Sequence, residues 1–310
     1  MSRIYISAET DPYFNVAAEY QLLKDTAGGT SLFLWRNKPS VIFGRNQNVF
    51  AECDEKLLKK YGVLPVRRFS GGGAVFHDLG NVNFTFLSKE QDADTDRYRK
   101  VLRHAVSSLG ISCTFGGRND LLAEGKKFSG QAYYAEWGNL LYHGTVMVNV
   151  DLDLLSAVLK PSFLKLRSKG IDSVRSRVVN LSQIDARITP ERVQEALMIA
   201  FAAEYGAERP VSRIDRRSMQ PSVYEKIRKD DWIYGESPDF DVRFEKKLSF
   251  GNVTVFADIS GGKVSRAKIY TDSLAALDFS PCEKSLAGLL FREDALVATI
   301  ENFVQNKAGF

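Results

Sequence analysis

Apolar residues recur along this chain at two spacings, one typical of helices and one typical of strands. The first helix begins after Asp11, which can cap it, and has Pro12 at its first position. Its apolar stripe consists of Tyr13, Val16, Ala17, Tyr20 and Leu23. The helical spacing returns over residues 52–61 and 94–109, and again in a long helix that begins at Pro190.

Strand patterns occupy much of the remaining sequence up to residue 150. Over residues 82–86, apolar and polar side chains alternate, which predicts a strand with one buried face. A hairpin turn is predicted at Glu124-Gly125. The predicted strand regions are 3–7, 32–35, 41–43, 63–88 and 111–150.

Residues 207–240 lack either spacing, because prolines interrupt them and only one apolar patch, around Trp232, remains. After this segment, two strands turn at residues 260–262, and two helices follow over about 282–290 and 293–304. Strands cluster rather than alternate singly with helices, which favours an α+β fold with a mixed or antiparallel sheet over a doubly wound fold. The predicted units are a main domain (1–206), a linker (207–240) and a small α+β C-terminal domain (241–310).

The composition is that of an ordinary globular protein, with 310 residues of which 44% are hydrophobic and 26% charged. The formal net charge is +4 with dispersed basic residues, which fits an anionic ligand or an acidic protein partner better than nucleic acid. No apolar run approaches the roughly 18 residues that a membrane span needs, and the N-terminus lacks an apolar secretion signal. We therefore expect a cytoplasmic protein, and no feature of the sequence requires more than a monomer.

The segment RRFSGGGAVFHDLGN, residues 67–81, carries the clearest chemical signal. Its three consecutive glycines expose backbone N–H groups that a polyanion can approach closely. It is neither a Walker A loop nor a dinucleotide fingerprint, because no Gly-Lys-Ser/Thr follows and no helix begins after the glycines. Arg67 and Arg68 supply cationic groups for such an anion, and strand alternation lets only one of them face it. A glycine-rich hairpin with surface arginines is the alternative.

A second stretch, GRNDLLAEGKKFSG at residues 117–130, combines oxygen ligands with lysines. Asn119 and Asp120 suit either Mg²⁺ or the base and ribose of a nucleotide. On a regular strand, Lys126 and Lys127 take opposite faces, so only Lys127 is expected to face the site. A solvated hairpin explains the two lysines equally well.

Both stretches closely resemble lipoate–protein ligases of the LplA type. Further segments share the resemblance in the same order, and the last of them is similar to the small C-terminal domain of that family. These segments are DPYFNVAAEY (11–20), HGTVMVNVDLDLL (143–155), SKGIDSVRSRVVNL (168–181) and FGNVTVFADISGGKVSRAKIYTDSL (250–274). The resemblance makes residues 1–206 a catalytic domain and residues 241–310 an accessory domain.

The resemblance implies a catalytic domain of the biotin/lipoate ligase type, similar to class II synthetases, and a two-step reaction. Lipoate would react with ATP and Mg²⁺ to give lipoyl-AMP, and the lipoyl group would then pass to a lysine of an apo lipoyl domain. Such acceptors are the E2 subunits of 2-oxoacid dehydrogenases and the H protein of glycine cleavage. Lys127 would be the catalytic cation, and Asp120 would lie beside Mg²⁺. The residues implied to bind ATP or lipoyl-AMP are Arg68, Ser70, Gly71, Gly72, Gly73, Ala74, Val75, Phe76, His77, Asn81, Asn119, Asp120 and Lys127.

Four other features have less specific roles. His77 is either a site residue beside the lipoyl chain or a structural hydrogen-bonding group, and the strand position of His143 favours an architectural role. His104 lies on the polar face of its helix and is expected to be solvated. The basic run from Lys160 to Arg177 is either a solvated face or a loop that closes on the adenylate or contacts an acidic lipoyl domain.

Three other activities compete with ligation. An octanoyl- or lipoyl-transferase would need an activated thiol, but Cys53, Cys113 and Cys282 lie outside the motifs and form no disulfide or metal framework. A biotin–protein ligase would carry a different glycine motif. A non-catalytic lipoyl-binding homologue is disfavoured by the presence of Arg68, the triple glycine and Lys127 together.

Overall fold

Eight strands form one mixed sheet, which two three-stranded sheets accompany. The computed structural model describes residues 2–117, 119–159, 177–207, 211–234, 242–260 and 262–308. The strands of the large sheet are β1 (Arg3–Ser7), β2 (Ser31–Trp35), β6 (Asn81–Lys89), β7 (Thr114–Gly116), β8 (Asp120–Ala123), β9 (Lys126–Glu136), β10 (Asn139–Met147) and β11 (Ser212–Ile214). Their order is β11-β1-β2-β6-β10-β9-β8-β7, with β1 parallel to both of its neighbours and the other pairs antiparallel. The predicted α+β fold with a mixed sheet is confirmed.

Most helices between residues 12 and 205 begin after a capping side chain. Asp11 accepts a hydrogen bond from the Tyr13 backbone at the start of the first helix, as predicted. The helix predicted over 52–61 is divided in two, because Asp54 accepts hydrogen bonds from the backbone ahead of it and starts a new helix. The helices of this part of the chain are α1 (Pro12–Lys24), α2 (Val49–Glu52), α3 (Glu55–Tyr61), α4 (Thr95–Ser108), α5 (Leu152–Val158), α6 (Leu181–Ile184) and α7 (Pro190–Tyr205).

The central strand β6 is buried on both faces, whereas the alternation of its sequence predicted one buried face. Phe84 and Phe86 pack into an apolar core with α4 and α7 on one side of the sheet. Asn83 and Thr85 lie on the other side and are equally buried. The prediction of a solvated polar face is therefore wrong, because a second layer of structure covers those polar residues.

That second layer consists of helix α1, whose Glu19 accepts a hydrogen bond from Thr85, and of a small sheet of β3 (Ser40–Phe43), β4 (Leu64–Arg67) and β5 (Val75–His77). The order of this sheet is β4-β3-β5, so β4 and β5 lie on opposite sides of β3. The glycine-rich segment between β4 and β5 consequently crosses from one edge of the sheet to the other. It does not form the hairpin considered as the alternative for this motif.

The segment predicted as an aperiodic linker contributes to the large sheet. Its strand β11 pairs in parallel with β1, so it forms one edge of the eight-stranded sheet. Two one-turn helices follow, α8 (Tyr224–Ile227) and α9 (Asp230–Ile233). The Trp232 indole N–H donates to the carbonyl of Arg67, which ties this segment to β4. Its prolines break periodicity without preventing the chain from packing.

The C-terminal unit has three strands where two were predicted. It consists of β12 (Val242–Leu248), β13 (Gly251–Ser260), β14 (Lys263–Thr271), α10 (Ser280–Leu286) and α11 (Glu293–Ala308). An apolar core lies between its sheet and its helices. The unit contacts the main sheets through Asn46, whose side chain donates to the Leu277 carbonyl at 2.8 Å. Within the described part of the chain, no helix combines the length and apolar character needed to cross a bilayer.

Candidate active site

A cavity of about 760 Å³ lies between the polar face of the large sheet and the small sheet. This volume is within the usual range for small-molecule sites. Helix α1 contributes Val16 and Glu19 to its wall, and Trp35 of β2 and Ile42 of β3 add further apolar surface. Asp272 of the C-terminal unit also borders it. The cavity therefore lies where both parts of the chain meet.

The glycine-rich segment has two functions that its sequence did not separate. Gly71 and Gly72 pack against the C-terminal unit, where the Gly72 N–H donates to the Ser273 carbonyl at 2.5 Å. A Cβ atom at Gly71 would collide with that same carbonyl oxygen. Gly73, in contrast, borders the cavity, and a Cβ there would meet nothing within 4 Å. Only the last glycine thus leaves open space for a ligand.

Arg68 is buried at the edge of the cavity and holds the glycine-rich segment in place. Its guanidinium donates to the carbonyls of Gly71, at 2.6 Å, and Gly73, at 2.9 Å. It also donates to the Ile42 carbonyl and to Ser70 Oγ. Burial lowers the pKa of Arg68 to about 10, so the side chain remains charged at neutral pH.

Arg67 points elsewhere, as strand alternation predicted for one of the two arginines. Its guanidinium donates to five backbone carbonyls and is almost fully buried. The acceptors are Gly44, Arg45, Gln47, Trp232 and Ile233. Arg67 therefore joins the segment after β3 to α9, and its role is structural.

Lys127 lies at the mouth of the cavity, where its Nζ is 2.7 Å from Asp120 Oδ1. Gly130 leaves room for this ion pair, because a Cβ there would lie 2.8 Å from the lysine nitrogen. The strand is not regular at this point: Leu121 pairs with Ser129 and Leu122 with Lys127, which leaves one extra residue as a bulge.

The bulge has a consequence for the lysine next in sequence. Lys126 also borders the cavity, from an exposed position, so strict alternation does not separate the two lysines. Ion pairing distinguishes the two lysines: Lys127 has a carboxylate partner, whereas Lys126 has none among the ion pairs of the described residues.

A chain of buried hydrogen bonds crosses the inner end of the cavity. His143 lies between Ser70 Oγ, 2.8 Å from its Nε2, and Glu19 Oε1, 2.8 Å from its Nδ1. Thr85 Oγ donates to the same Glu19 oxygen at 2.5 Å. The order Ser–His–Glu resembles a hydrolytic triad. However, Ser70 Oγ accepts from Arg68 and does not border the cavity in the described structure, so this chain supports the glycine-rich segment and supplies no nucleophile.

The structure brings ten of the thirteen predicted binding residues to one cavity. Ser70, Gly71 and Gly72 lie behind its wall, against Arg68 and the C-terminal unit. Asn119 borders the cavity, but its side-chain amide also donates to the Gln131 carbonyl at 2.6 Å. The predicted residues on the wall are Arg68, Gly73, Ala74, Val75, Phe76, His77, Asn81, Asn119, Asp120 and Lys127.

Several wall residues were not predicted from the sequence. Glu19 lies in a segment that showed the family resemblance but was assigned no role, Trp35 comes from an element identified only as a strand, and Asn83 was assigned to a solvated face. His143, expected to be architectural, also borders the cavity. No sequence signal pointed to Asn83, because its burial depends on the structure that packs over β6.

In the described structure the cysteines do not border the cavity, and Arg177 of the basic run does. Cys53 and Cys282 are buried, and burial raises the pKa of the Cys282 thiol to about 11. Burial also raises the pKa of Cys113, and in the described structure no cysteine borders the cavity. Of the basic run, residues 160–176 lie outside the described residues, and Arg177 borders the cavity. Among described residues, no group of three His, Cys, Asp or Glu side chains could hold a metal.

Comparison with known families gives two matches that together span most of the chain. The model of the lipoyl protein ligase A/B catalytic domain matches residues 11–202. The model of the bacterial lipoate protein ligase C-terminus matches residues 237–309. A lipoate-protein ligase A of Blochmanniella pennsylvanica is 36% identical over 318 residues, which cover 98% of this chain and 93% of that protein.

Two solved structures are similar over much of their length. The crystal structure of P. falciparum LipL1 in complex with lipoate has a TM-score of 0.78 and 28% identity, and covers 98% of this chain and 100% of that one. The crystal structure of a lipoate-protein ligase A bound with ATP has a TM-score of 0.66 and 26% identity, and covers 76% of this chain and 99% of that one.

Proposed function

Because the chain belongs to the lipoyl protein ligase A/B family, we propose that it uses ATP to attach lipoate to a lysine side chain of an acceptor protein. The membership confirms the resemblance carried by the sequence motifs. The observation that carries the proposal is the composition of the cavity. Trp35 and Ile42 give it an apolar wall, and it is also bordered by Lys127 and by Gly73, where a Cβ would meet nothing within 4 Å. An aliphatic acid and a phosphate can therefore meet there.

In the first step, the lipoate carboxylate attacks the α-phosphorus of ATP, pyrophosphate leaves, and lipoyl-AMP forms. Negative charge grows on the phosphate oxygens, so fixed cations and N–H donors stabilise this transition state. We assign this role to Lys127 Nζ and to the backbone from Gly73 to Phe76, which borders the cavity. Arg68 acts behind them, because its hydrogen bonds hold the Gly71 and Gly73 carbonyls in place.

In the second step, the amine of the acceptor lysine attacks the acyl carbonyl carbon of lipoyl-AMP. The C–O bond to the phosphate breaks, AMP leaves with the electron pair, and the new amide nitrogen loses a proton. His77 is not the base for that proton, because burial lowers its pKa to about 3 and its Nδ1 is occupied by a hydrogen bond with Asn37. The step needs orientation of the amine more than a nucleophile from this chain.

Mg²⁺ is proposed to enter with ATP. Asp120, one of several carboxylates that border the cavity, is about a third exposed and is paired with Lys127. A single carboxylate fits this ion, because Mg²⁺ usually keeps several waters and takes its other ligands from the substrate phosphates. When bound, the ion would neutralise charge on the leaving pyrophosphate. Asn119, adjacent to Asp120, would then contact the nucleotide.

The proposed acceptors are apo lipoyl domains of 2-oxoacid dehydrogenase E2 subunits and the glycine-cleavage H protein. We propose that the protein works as a monomer in the cytoplasm, with residues 1–206 as the catalytic domain and 241–310 as the accessory domain. The position of Asp272 on the cavity wall supports a contribution of the accessory domain to the substrate site.

Lipoate-dependent release of pyrophosphate from ATP and Mg²⁺, without acceptor protein, is the test of the proposal. We expect about one equivalent of pyrophosphate per enzyme, followed by turnover and lipoylation when an apo lipoyl domain is added. An octanoyl-carrier protein as donor, without ATP, is the control for the competing transferase. Acyl transfer from that donor, together with no ATP-dependent release, would contradict ligation.

A further inference from the structure

His77 is a buried side chain with one ring nitrogen that has no hydrogen-bond partner in the described structure. It is 3% exposed, borders the cavity, and packs against the edge of the Trp35 ring at a centroid distance of 5.8 Å. Its Nδ1 is 3.2 Å from Asn37 Nδ2. Its Nε2 has no partner among the described residues. Which nitrogen carries the proton decides what this open position offers to a ligand.

The hydrogen bonds of Asn15 fix the orientation of a neighbouring amide. Asn15 Nδ2 is 3.0 Å from the carbonyl oxygens of both Glu9 and Arg36. Carbonyl oxygens only accept, so this atom of Asn15 must be the amide nitrogen. Ser7 Oγ donates to the opposite atom, Asn15 Oδ1, at 2.6 Å, which agrees with that orientation.

Asn37 passes the orientation on to the histidine. Asn15 Nδ2 is 2.9 Å from Asn37 Oδ1, so the other amide atom, Nδ2, is the one that faces His77. An amide nitrogen only donates. His77 Nδ1 must therefore accept, and the ring proton lies on Nε2. Asn15 and Asn37 are fully buried, which keeps water from competing for these bonds.

The surroundings also keep the ring neutral. Arg68 and His143 are the charged or titratable groups that act on His77, and both oppose a second proton. Burial adds to this effect and is the largest cause of its lowered pKa. A proton on Nδ1 would in addition face the Asn37 N–H. His77 therefore offers a fixed, uncharged N–H donor at neutral pH.

We propose that Asn15 and Asn37 are positioning residues that hold neutral His77 with its Nε2–H toward the cavity, where it donates to an anionic oxygen of the bound substrate. The identity of that substrate rests on the proposed function, in which both the acid and the nucleotide carry such oxygens. The Nδ2 of Asn83, also buried, on the cavity wall and without a partner in the described structure, provides a second donor on the facing sheet.

Nitrogen-15 NMR of the ring nitrogens tests the tautomer directly, because the chain has only three histidines. In the free protein, we expect one ring to show a neutral Nε2–H pattern that does not titrate between pH 5 and 9. Asn37→Leu should convert that ring to a mixture of tautomers, because it removes the hydrogen bond to Nδ1. Asn15 keeps its two carbonyl acceptors in this variant, so its own amide nitrogen remains paired. A protonated Nδ1 in the wild type would overturn the proposal, whatever the enzyme catalyses.

Ligand titrations then identify the oxygen. A shift of the His77 Nε2 resonance with lipoate alone assigns the acid, and a shift only with a non-hydrolysable ATP analogue assigns the nucleotide. Binding of both without a shift would refute the donor role. Failure of both to bind the wild type would instead reject the proposed function and the ligand assignment together, and leave the tautomer as measured.

Two substitutions distinguish the effect of the N–H donor from the effect of side-chain volume. His77→Gln can place an amide N–H near the Nε2 position, whereas His77→Asn is too short to reach it. We expect His77→Asn to raise the Kd of the assigned ligand about tenfold or more, and His77→Gln to stay within about threefold of wild type. Equal losses in both variants would contradict the donor role.

Discussion

Lys127→Ala separates catalysis from stability at the cavity mouth. The lysine contacts Asp120 at 2.7 Å, but the two side chains are 37% and 33% exposed. Exposed ion pairs contribute about 0–1 kcal/mol to stability. The free energy of unfolding should therefore change by no more than about 1 kcal/mol on substitution.

The effect on the first reaction step should be much larger. If Lys127 stabilises the charge that grows on the α-phosphate, its loss removes one preorganised cation, at a cost of about 3–4 kcal/mol or ~10²–10³ in rate. Lys126→Ala is the matched control, because Lys126 also borders the cavity and has no carboxylate ion-pair partner in the described structure. It should lose much less, within about threefold.

The two rates are measured as lipoate-dependent pyrophosphate release in a single turnover, without acceptor protein. Urea denaturation of each variant supplies the stability comparison. Equal loss of rate in Lys126→Ala and Lys127→Ala would refute the assignment of a specific cation. A loss of more than about 3 kcal/mol of stability in Lys127→Ala would show that the pair is structural instead.

Three further predictions concern residues around the cavity. Arg67→Lys should lower the free energy of unfolding by about 2–4 kcal/mol in urea titrations, because one ammonium cannot satisfy five buried carbonyls. The pKa of His77 is about 3 in the folded protein and has the ordinary value of about 6.5 in the unfolded chain, so between these pH values only the unfolded chain binds a proton at this residue. Stability should then fall by up to about 1.4 kcal/mol per pH unit from pH 6.5 towards 3, and His77→Gln should lack this slope. Gly71→Ala should displace the C-terminal unit and enlarge the radius of gyration in small-angle scattering, whereas Gly73→Ala should not.

Local signals in the sequence predicted most elements of the fold. Asp11 and Pro12 marked the first helix, and Glu124-Gly125 marked the hairpin between β8 and β9, where both residues have positive φ. These predictions depend on neighbours in sequence. The pairing of β11 with β1 depends on a distant segment, so periodicity could not find it. The missed strand β12 is local, since it pairs with β13 across a turn at residues 249–250, but its charged residues interrupt the apolar alternation.

The candidate site was predicted best where one short motif supplies several residues. Arg68, Gly73 and His77 reach the same cavity because β4 and β5 flank β3. Asn83 joins them from a central strand whose sequence shows no motif, and Glu19 from the segment DPYFNVAAEY, which showed the family resemblance but was assigned no role in the site. The division of the triple glycine between the cavity and the C-terminal unit depends on tertiary contacts that the motif itself does not contain.

The contact between the two parts of the chain has a consequence for how this sequence can change over time. The Gly72 N–H donates to the Ser273 carbonyl, and the Thr271 N–H donates to the Asn46 carbonyl at 2.8 Å. Both bonds join main-chain atoms, which every substitution except proline retains. Mutational drift can therefore alter side chains on either side without losing this alignment, provided that residues 71 and 72 stay free of a Cβ atom. Divergence in the C-terminal sequence is then compatible with an unchanged cavity.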